Sequence, residues 1–392
     1  MSKFVFAIPA FLSVLALAAG AADVSVTDVT TADGIVTVAY SVSGAANVIV
    51  TAGVKQGGRQ VGLIDVWGEM NKEVTAASHQ FRFRADAAEL GDGGFVGSGS
   101  EVVVTAWEKA TPPPYMAIDL TLPTRIRYFA DKASIPGGIG AREWKEGNVL
   151  FRRIPAKGVR WRMGAPSNEP NRNHSDQAAD ATDLPLAYVT NEADYYMAVY
   201  PATVYQNELM TGERTGEGPA AFAGFPHDEV HRSDWRWHPA SGVTYGTVVA
   251  KAADFSALCG RTVRLPTEAE FEFAARGGST TYQALYGTTA EVTVYYSNMH
   301  SYYGGTHPGY GNALPVGLLK PNAFDLYDMI GNVREWCAGP YDGYYNEAKT
   351  MRTVRGCDHS WSVATARAAS RRGLNDGAKD GRTGYRLVSP ID

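Results

Sequence analysis

The chain has 392 residues, 45% hydrophobic and 20% charged, a balance typical of a folded protein and not of a disordered chain. The formal net charge is −5 at pH 7, and the 36 Lys and Arg residues are scattered along the chain. This charge pattern argues against nucleic acid and anionic membrane surfaces as partners. The length predicts about two domains.

Residues 1–22 have the pattern of a secretory signal peptide. Lys3 precedes an apolar run over residues 4–18, and the small residues 19–21 supply a cleavage site. The run is shorter than the ~20 residues that a membrane-spanning helix needs, and the alternative is a buried N-terminal helix. We therefore expect an exported protein that is secreted, periplasmic or at the cell surface, with no membrane insertion after cleavage.

Residues 23–110 alternate apolar and polar residues with a period of two. Runs rich in β-branched residues, such as 35–42 and 102–107, are separated by Gly, Asn and Asp, which favours short strands joined by turns. About seven such strands predict an all-β, immunoglobulin-like sandwich. The glycine-rich stretch 91–99 lacks the strand–loop–helix context of a phosphate loop, and we interpret it as a hairpin loop.

Three consecutive prolines, 112–114, mark a domain boundary because they stiffen the backbone and remove hydrogen-bond donors. We interpret residues 111–147 as a Pro-rich linker and bridge, followed by a second domain over 148–392.

Two helices are predicted in the second domain. One lies around residues 248–258, before Cys259 and a glycine. The other covers 267–276, where Thr267 and Glu270 form a capping box and two glycines end the helix.

Two sequence blocks in this domain resemble signatures of the formylglycine-generating enzyme family, the sulfatase-modifying factors. The first is RLPTEAEFEFAARGG at 264–278, and the second is NAFDLYDMIGNVREW at 322–336. Shorter similar stretches lie at 151–155, 163–164, 354–356, 360–361, 367–371 and 384–387. Together they cover about 240 residues in the family's order. The resemblance implies an α+β, C-type-lectin-like fold with few regular elements.

The resemblance also implies a calcium site. Family members bind calcium with the Asn and Glu side chains of a Gly-Asn-x-x-Glu-Trp block and nearby carbonyls, which here gives Asn332, Val333 and Glu335. The alternative is that Asn332 caps a turn and Glu335 pairs with an arginine. A second calcium site of some members would begin at Asn298, but no carboxylate occurs at its later position near 308–310.

The family's enzymes oxidise a substrate cysteine to formylglycine, using copper held by two thiolates that follow an Arg-Gly-Gly-Ser turn. Here that turn is altered to RGCDHSW at 355–361, and no cysteine follows Cys357. The family's copper pair therefore cannot be carried over to this sequence, and we expect no bound copper.

Cys337 and Cys357 leave three alternatives open: a disulfide, two separate buried thiols, or a displaced metal or redox site assisted by His359. Cys259 is most simply a core residue. The pair His227 and His231 lacks the glutamate that directly follows the first histidine in metalloproteases, and a polar loop is the better interpretation.

The leading hypothesis is therefore an exported binding module, with a catalytically inactive domain that engages a peptide, glycan or protein. Some relatives with this fold vary in their last segment, and the expected exposed face here is formed by Trp361, Arg367, Arg371, Arg372, Asn375 and Asp376. The alternative role of the arginines is to anchor loops through fork-shaped hydrogen bonds. An active cysteine oxidase and a structural cell-envelope component are the alternative functions.

Overall fold

The computed structural model describes ten segments of the chain. Of residues 56 and 59–62 within these segments, only the backbone is described. The segments are 23–44, 47–56, 59–62, 66–84, 101–166, 187–215, 235–279, 313–342, 350–360 and 367–391, and the backbone of 13–19 is also described. The chain divides into a first unit within residues 1–117 and 126–141, and a second unit within 118–125 and 142–391.

The first unit is built from two β-sheets. Its strands are β1 Ser13–Ala19, β2 Asp23–Ala32, β3 Ile35–Ser43, β4 Asn47–Gln56, β5 Arg59–Gly62, β6 Trp67–Gly68, β7 Lys72–Thr75, β8 Ser78–Arg84 and β9 Glu101–Trp107. One sheet has the order β1-β9-β4-β5, with β7 also paired to β4, and the other has the order β2-β3-β8-β6.

Strict alternation of side chains creates the core of this unit. In β3 every second residue from Val36 to Val42 is buried, and in β8 the same pattern buries Phe81 and Phe83. These residues share one apolar cluster with β4 and β9, so the two sheets enclose a common core. The expected strand-rich first domain is present, and its immunoglobulin-like assignment stays a prediction.

Part of the predicted signal peptide takes a place in a sheet. Strand β1, Ser13–Ala19, runs parallel to β9 with Ser13 opposite Glu101 and Ala19 opposite Trp107. This segment is a strand and not the helix of the alternative, whereas residues 1–12 and 20–22 lie outside the described part of the chain. Cleavage stays a prediction. Within the described residues, no helix has the length and apolar character needed to cross a membrane.

The stretch interpreted as a bridge contains regular elements. These are β10 Tyr115–Asp119, β11 Ile126–Phe129 and 3₁₀ turns at Lys132–Ser134 and Arg142–Lys145. The side chain of Asp131 accepts a hydrogen bond from the backbone N–H of Ser134 and so caps the first turn.

The second unit has little regular structure for its size. Its strands are β12 Asn148–Ile154, β13 Arg160–Met163, β14 Ala187–Thr190, β15 Tyr195–Ala198, β16 Arg334–Pro340, β17 Met351–Arg355, β18 Arg371–Asn375, β19 Thr383–Gly384 and β20 Val388–Pro390. Its described helices are α1 Val204–Thr211, α2 Tyr245–Cys259 and α3 Glu268–Ala275, with a 3₁₀ turn at Trp235–Trp237.

Three groups of strands organise this unit. Strand β15 pairs with β12 and β20, β13 forms a hairpin with β14, and a four-stranded sheet has the order β18-β17-β16-β19. Helix α3 packs its buried Phe271 and Phe273 into an apolar cluster that also contains Trp161 and Cys337. The fold thus places α3 beside the sheet whose strand β17 leads into the altered turn at 355–361.

Local capping fixes both predicted helices. Helix α3 begins after Thr267, whose side chain and that of Glu270 form the predicted capping box. Helix α2 spans the predicted region and extends three residues further toward its N-terminus, where Thr244 caps it, and it ends at Gly260 in the left-handed conformation.

Candidate functional site

Two carboxylates on α3 anchor the sheet that carries the altered turn. Oε2 of Glu268 lies 3.0 Å from Nη2 of Arg355, and Oε1 of Glu268 lies 2.6 Å from Nη2 of Arg371. The carboxylate of Glu272 lies 2.8 Å from Nη1 of Arg355 and 2.6 Å from Nη2 of Arg276. Because each guanidinium forms several directed hydrogen bonds to these carboxylates, the arginines of β17 and β18 are fixed in position.

The electrostatics of this network favour its charged form. Burial alone would raise the pKa of Glu268, but the charges of Arg355 and Arg371 outweigh it and hold that pKa below its usual value. The hydroxyl of Thr353 also donates to Glu268 Oε1, at 2.6 Å. Breaking the network would leave a buried charge without its partner, which is costly.

The altered turn follows directly after Arg355. Gly356 and Cys357 both have left-handed backbone, with φ of 88° and 59°. A side chain at Gly356 would lie 3.1 Å from the carbonyl oxygen of Met329 and 3.2 Å from the Phe271 ring, so this position requires glycine. The non-glycine residue Cys357 is in a conformation that few such residues adopt.

Backbone hydrogen bonds join this turn to the second signature block. The N–H of Gly331 donates to the carbonyl of Gly356 at 2.6 Å, and the N–H of His359 donates to the carbonyl of Asn332 at 3.0 Å. The altered turn and the Gly-Asn block, which the resemblance marks as functional, therefore form one structural site.

A small cavity lies at this site. Its volume is about 10 Å³, and it occupies a recess of about 170 Å³ that includes open solvent. Its lining residues are Arg334, Val354, Cys357, Ser370, Arg371 and Arg372. A cavity of this size holds about one water-sized molecule.

Arg334 is a deeply buried charged residue of this cavity. Its Nη1 lies 2.9 Å from Asp358 Oδ2, but the contact lacks hydrogen-bond geometry, so both atoms stay without a hydrogen bond. Its Nη2 donates to Asp380, and its Nε donates to the hydroxyl of Thr383 at 2.9 Å. Arg334 thus brings a buried donor with unused capacity to the cavity wall.

His359 is a second buried polar group of the turn. Among the described residues, neither of its ring nitrogens has a hydrogen-bond partner. Burial lowers its pKa, against the opposing charge of Asp358.

Cys259, Cys337 and Cys357 are buried, and none of them forms a disulfide. In the antiparallel pairing of β16 with β17, Glu335 lies opposite Arg355. Cys337 and Cys357 each follow one of these residues by two positions, so the chain leads them in opposite directions from the pair. Both side chains belong to the same apolar cluster, and no disulfide joins them. The structure therefore has two separate buried thiols, the second of the three alternatives.

The side chains predicted to bind calcium have other partners. Both carboxylate oxygens of Glu335 accept hydrogen bonds from Arg386, at 2.7 and 2.8 Å. The side-chain amide of Asn332 accepts a hydrogen bond from the N–H of Leu314 at 2.9 Å and donates one to the carbonyl of Leu314 at 3.0 Å. The side chain of Val333 is buried. As arranged, these side chains do not fit a calcium ion, because the carboxylate of Glu335 is already paired with the guanidinium of Arg386. They match the arginine-pair alternative.

A wider metal centre is also not present among the described residues. Within them, no group of three or more His, Cys, Asp or Glu side chains is arranged to hold a metal ion. His227, His231 and Asn298 lie outside the described part of the chain.

The prediction of an exposed face near the end of the chain is wrong for two of its residues. Arg367 and Arg371 are buried, and Arg371 pairs with Glu268 in the fork-shaped manner of the alternative. Charge alone does not reveal burial when the partner carboxylate lies 103 residues away.

Other members of that predicted face are accessible. Asn375 is exposed, and Arg372 and Asp376 are half-buried. Asp376 lies 3.7 Å from Arg352 in a surface ion pair. Trp361 lies outside the described residues.

Sequence reasoning missed Arg334, Ser370 and Glu272 as parts of the site. The motif around Arg334 was visible, but its burial depends on contacts with Asp358 and Asp380 that no local pattern specifies. Glu272 lies within the capped helix α3, on its buried side. An acidic residue on the apolar side of an amphipathic helix was the available signal.

Most of the second unit is similar to a known protein family. Residues 154–391 match the family described as "Sulfatase-modifying factor enzyme 1-like domain". The chain is 39% identical over 123 residues to a formylglycine-generating enzyme of Thermomonospora curvata, covering 30% of this chain and 38% of that protein. It is 30% identical over 177 residues to the "Inactive C-alpha-formylglycine-generating enzyme 2" of Bos taurus, covering 41% of this chain and 57% of that protein.

The chain is also similar to the solved structure of PvdO from Pseudomonas aeruginosa, with a TM-score of 0.48 and 24% identity, over 62% of this chain and 95% of that chain. The chain spans less than two thirds of the length of the curated relatives named above. The family match nevertheless covers more than half of this chain, which therefore belongs to the sulfatase-modifying factor family.

Proposed function

We propose that this chain is an exported binding module whose sulfatase-modifying-factor domain does not carry out copper-dependent cysteine oxidation. The observation that carries the proposal is that Cys337 and Cys357 are two separate buried thiols and that no cysteine follows Cys357 after the altered turn. Two thiolates are the minimum for a linear Cu(I) site, and the pair that the family places after this turn is missing from the sequence. The residues present therefore do not fit the family's copper.

The environment of Cys337 supports the same proposal. This thiol is fully buried, and burial raises its pKa well above the usual value. A metal ligand or nucleophile must be the thiolate, which is disfavoured there. The relatives that the chain resembles include proteins named as enzymes and proteins named as inactive, so similarity alone favours neither state.

A binding role is supported by the separation of buried, fixed side chains from exposed ones on strands β17 and β18. Glu268 and Glu272 fix the inward arginines of β17 and β18, whereas Asn375 at the end of β18 is exposed. A rigid framework that presents accessible residues at its edge is the usual arrangement of a recognition surface. We propose that this edge, with Arg372, Asn375 and Asp376, contacts a peptide, glycan or protein.

A Cu(I) titration of the reduced protein against a competing chelator tests the proposal. We expect no competitive binding in the parent protein and no change in Cys337→Ser, Cys357→Ser or the control Cys259→Ser. A cysteine-containing peptide incubated with the protein and added copper should yield no aldehyde by mass spectrometry. One-to-one Cu(I) binding that is lost in both Cys337→Ser and Cys357→Ser would overturn the proposal and favour the oxidase.

Export is tested separately by the mass of the protein recovered outside the cytoplasm. We propose cleavage after the small residues 19–21, which gives a mature N-terminus near residue 22. An intact N-terminus in the exported protein would contradict this part of the proposal. The binding edge is tested by screening glycan and peptide libraries with the parent protein and Asn375→Ala.

A further inference from the structure

The hairpin of β13 and β14 carries two arginines on its outer face. Side chains alternate along β13, so Trp161 and Met163 are buried in the apolar cluster of α3, while Arg160 and Arg162 lie on the opposite face. Arg160 is exposed and Arg162 is half-buried. Within the described part of the chain, neither guanidinium forms an ion pair or a hydrogen bond, and each contacts an aromatic ring instead.

That ring belongs to Tyr188, which holds both arginines in place. In the register of the hairpin, Tyr188 lies directly opposite Arg162 and diagonal to Arg160. Its ring centroid lies 4.2 Å from Cζ of Arg160 and 5.1 Å from Cζ of Arg162, within the range of cation–π contacts. Tyr188 is itself 59% exposed. Two positive charges are therefore fixed on one accessible face, where an anion can meet both.

The strand that carries Tyr188 has an open edge. It pairs with β13 in a two-stranded sheet, and no other described strand pairs with it. Asn191, the residue after β14, donates to the carbonyl of Val159 and accepts from the N–H of Gly158, so both of its backbone groups face the partner strand. Because this orientation alternates along an antiparallel ladder, the backbone groups of Thr190 and Tyr188 face away from β13. Such an edge can pair with an added strand.

The charge of this edge selects among the strands that could be added. A second copy of the chain would bring its own arginines to the same face, and like charges on neighbouring strands repel. A peptide with carboxylates at alternate positions would place all of them on the face of Arg160 and Arg162, since side chains two residues apart lie on the same side of a strand. Hydrogen bonds from guanidinium to carboxylate are among the strong ones.

We propose that the open edge of β14 is a docking site for an extended acidic peptide, which adds as a strand and sets its carboxylates against Arg160 and Arg162. Backbone pairing supplies affinity that does not depend on sequence, and the arginines select acidic side chains. This surface lies in a different sheet from the β18 edge of the proposed function. Binding at one surface can therefore fail without failure at the other.

Fluorescence anisotropy with the full chain tests the proposal, using a labelled peptide of about seven alternating Glu and Thr residues as the probe. We expect saturable binding that weakens as NaCl is raised. Affinity should fall at least about tenfold in the double variant Arg160→Gln with Arg162→Gln. The matched control, Arg125→Gln with Lys251→Gln, removes the same charge from two surface ion pairs and should leave binding unchanged.

Two further probes separate strand addition from charge alone. The same peptide with N-methylated backbone amides keeps its carboxylates but loses its backbone donors, and we expect it to bind at least about ten times more weakly. Oligogalacturonate carries its carboxylates on sugar rings, and we expect it to compete more weakly than the unlabelled peptide.

Absence of binding at low salt would overturn the proposal, and so would equal binding of the N-methylated peptide. Competition by oligogalacturonate as strong as that by the peptide would replace the peptide with an acidic glycan as the partner. Affinity unchanged by the double arginine substitution would place the peptide elsewhere on the chain. The first three comparisons use the parent protein and do not depend on the folding of a variant.

Discussion

Arg386 and Glu335 form a fully buried, two-point ion pair, with Nε 2.7 Å from Oε2 and Nη2 2.8 Å from Oε1. The same guanidinium donates to the carbonyl of Tyr327 at 2.9 Å and to that of Ala198 at 3.1 Å. One arginine near the end of the chain therefore joins β15 to the second signature block, and it occupies the carboxylate that the family resemblance marks as a calcium ligand.

Removing one partner of this pair should destabilise the second unit strongly. Arg386→Met leaves the carboxylate of Glu335 buried without its cation, and we expect a loss of about 3–5 kcal/mol in the free energy of unfolding. Urea unfolding measures this loss. The control is Lys251→Met, which breaks an exposed pair with Asp254 and should cost less than about 1 kcal/mol.

The double variant Arg386→Met with Glu335→Leu removes both charges and should regain part of the stability lost in Arg386→Met. A loss below about 1 kcal/mol in Arg386→Met would show that the pair contributes little to the fold.

Calcium should leave the thermal unfolding of the protein unchanged. The oxygens of Glu335 are hydrogen-bonded to Arg386, and the amide of Asn332 is bonded to Leu314, so no free ligand set is offered at this block. Scanning calorimetry in calcium and in EDTA, with magnesium as a control, measures this. A rise in Tm specific to calcium and absent in Asn332→Ala would restore the calcium site.

Asp328 should make stability fall as pH rises through the mildly acidic range. Burial raises its pKa to about 6, against the N–H of Gly317 and the charges of Arg386 and Lys145, while Glu335 adds to the increase. The folded state therefore binds this proton more tightly than the unfolded state, whose aspartate titrates near 4. This contribution is complete below about pH 4 and is lost as pH rises to about 6.

Asp328→Asn provides the matched variant, since asparagine tolerates the left-handed backbone at this position, where φ is 53°. Its free energy of unfolding relative to the parent should increase by up to about 3 kcal/mol between pH 4 and 7. Urea unfolding across this range measures the difference, and a pH-independent difference would contradict the shifted pKa of Asp328.

Gly373→Ala should destabilise the protein by about 1–3 kcal/mol. A Cβ there would lie 2.5 Å from the ring of Tyr341, which packs directly on the strand. The control is Gly377→Ala, where the nearest atom would be the Asn375 side-chain oxygen at 3.7 Å. Denaturant unfolding of both variants checks the expectation, and equal effects would show that Tyr341 moves aside freely.

Local signals in the sequence predicted local structure well. The capping box of Thr267 and Glu270 predicted helix α3, and the alternation in residues 35–42 predicted strand β3; the structure contains both. Helix α1 was missed although Thr203 and Gln206 form a capping box of the same kind, because its eight residues carry little apolar periodicity.

The site was less predictable because its geometry depends on pairs that are distant along the chain. Arg371 and Glu268 lie 103 residues apart, and Arg386 and Glu335 lie 51 apart. A sequence with 36 basic and 41 acidic residues offers many such combinations. Only folding determines which carboxylate meets which guanidinium, and therefore which arginines are buried.

The fastening of β17 and β18 from inside has an evolutionary consequence. Glu268 holds both strands through Arg355 and Arg371, which are buried, and the exposed Asn375 takes no part in that attachment. Substitutions at the outer end of this hairpin therefore carry little folding cost, since surface changes away from such contacts are nearly neutral. Descendants of this sequence can therefore vary the residues there while inheriting the same scaffold.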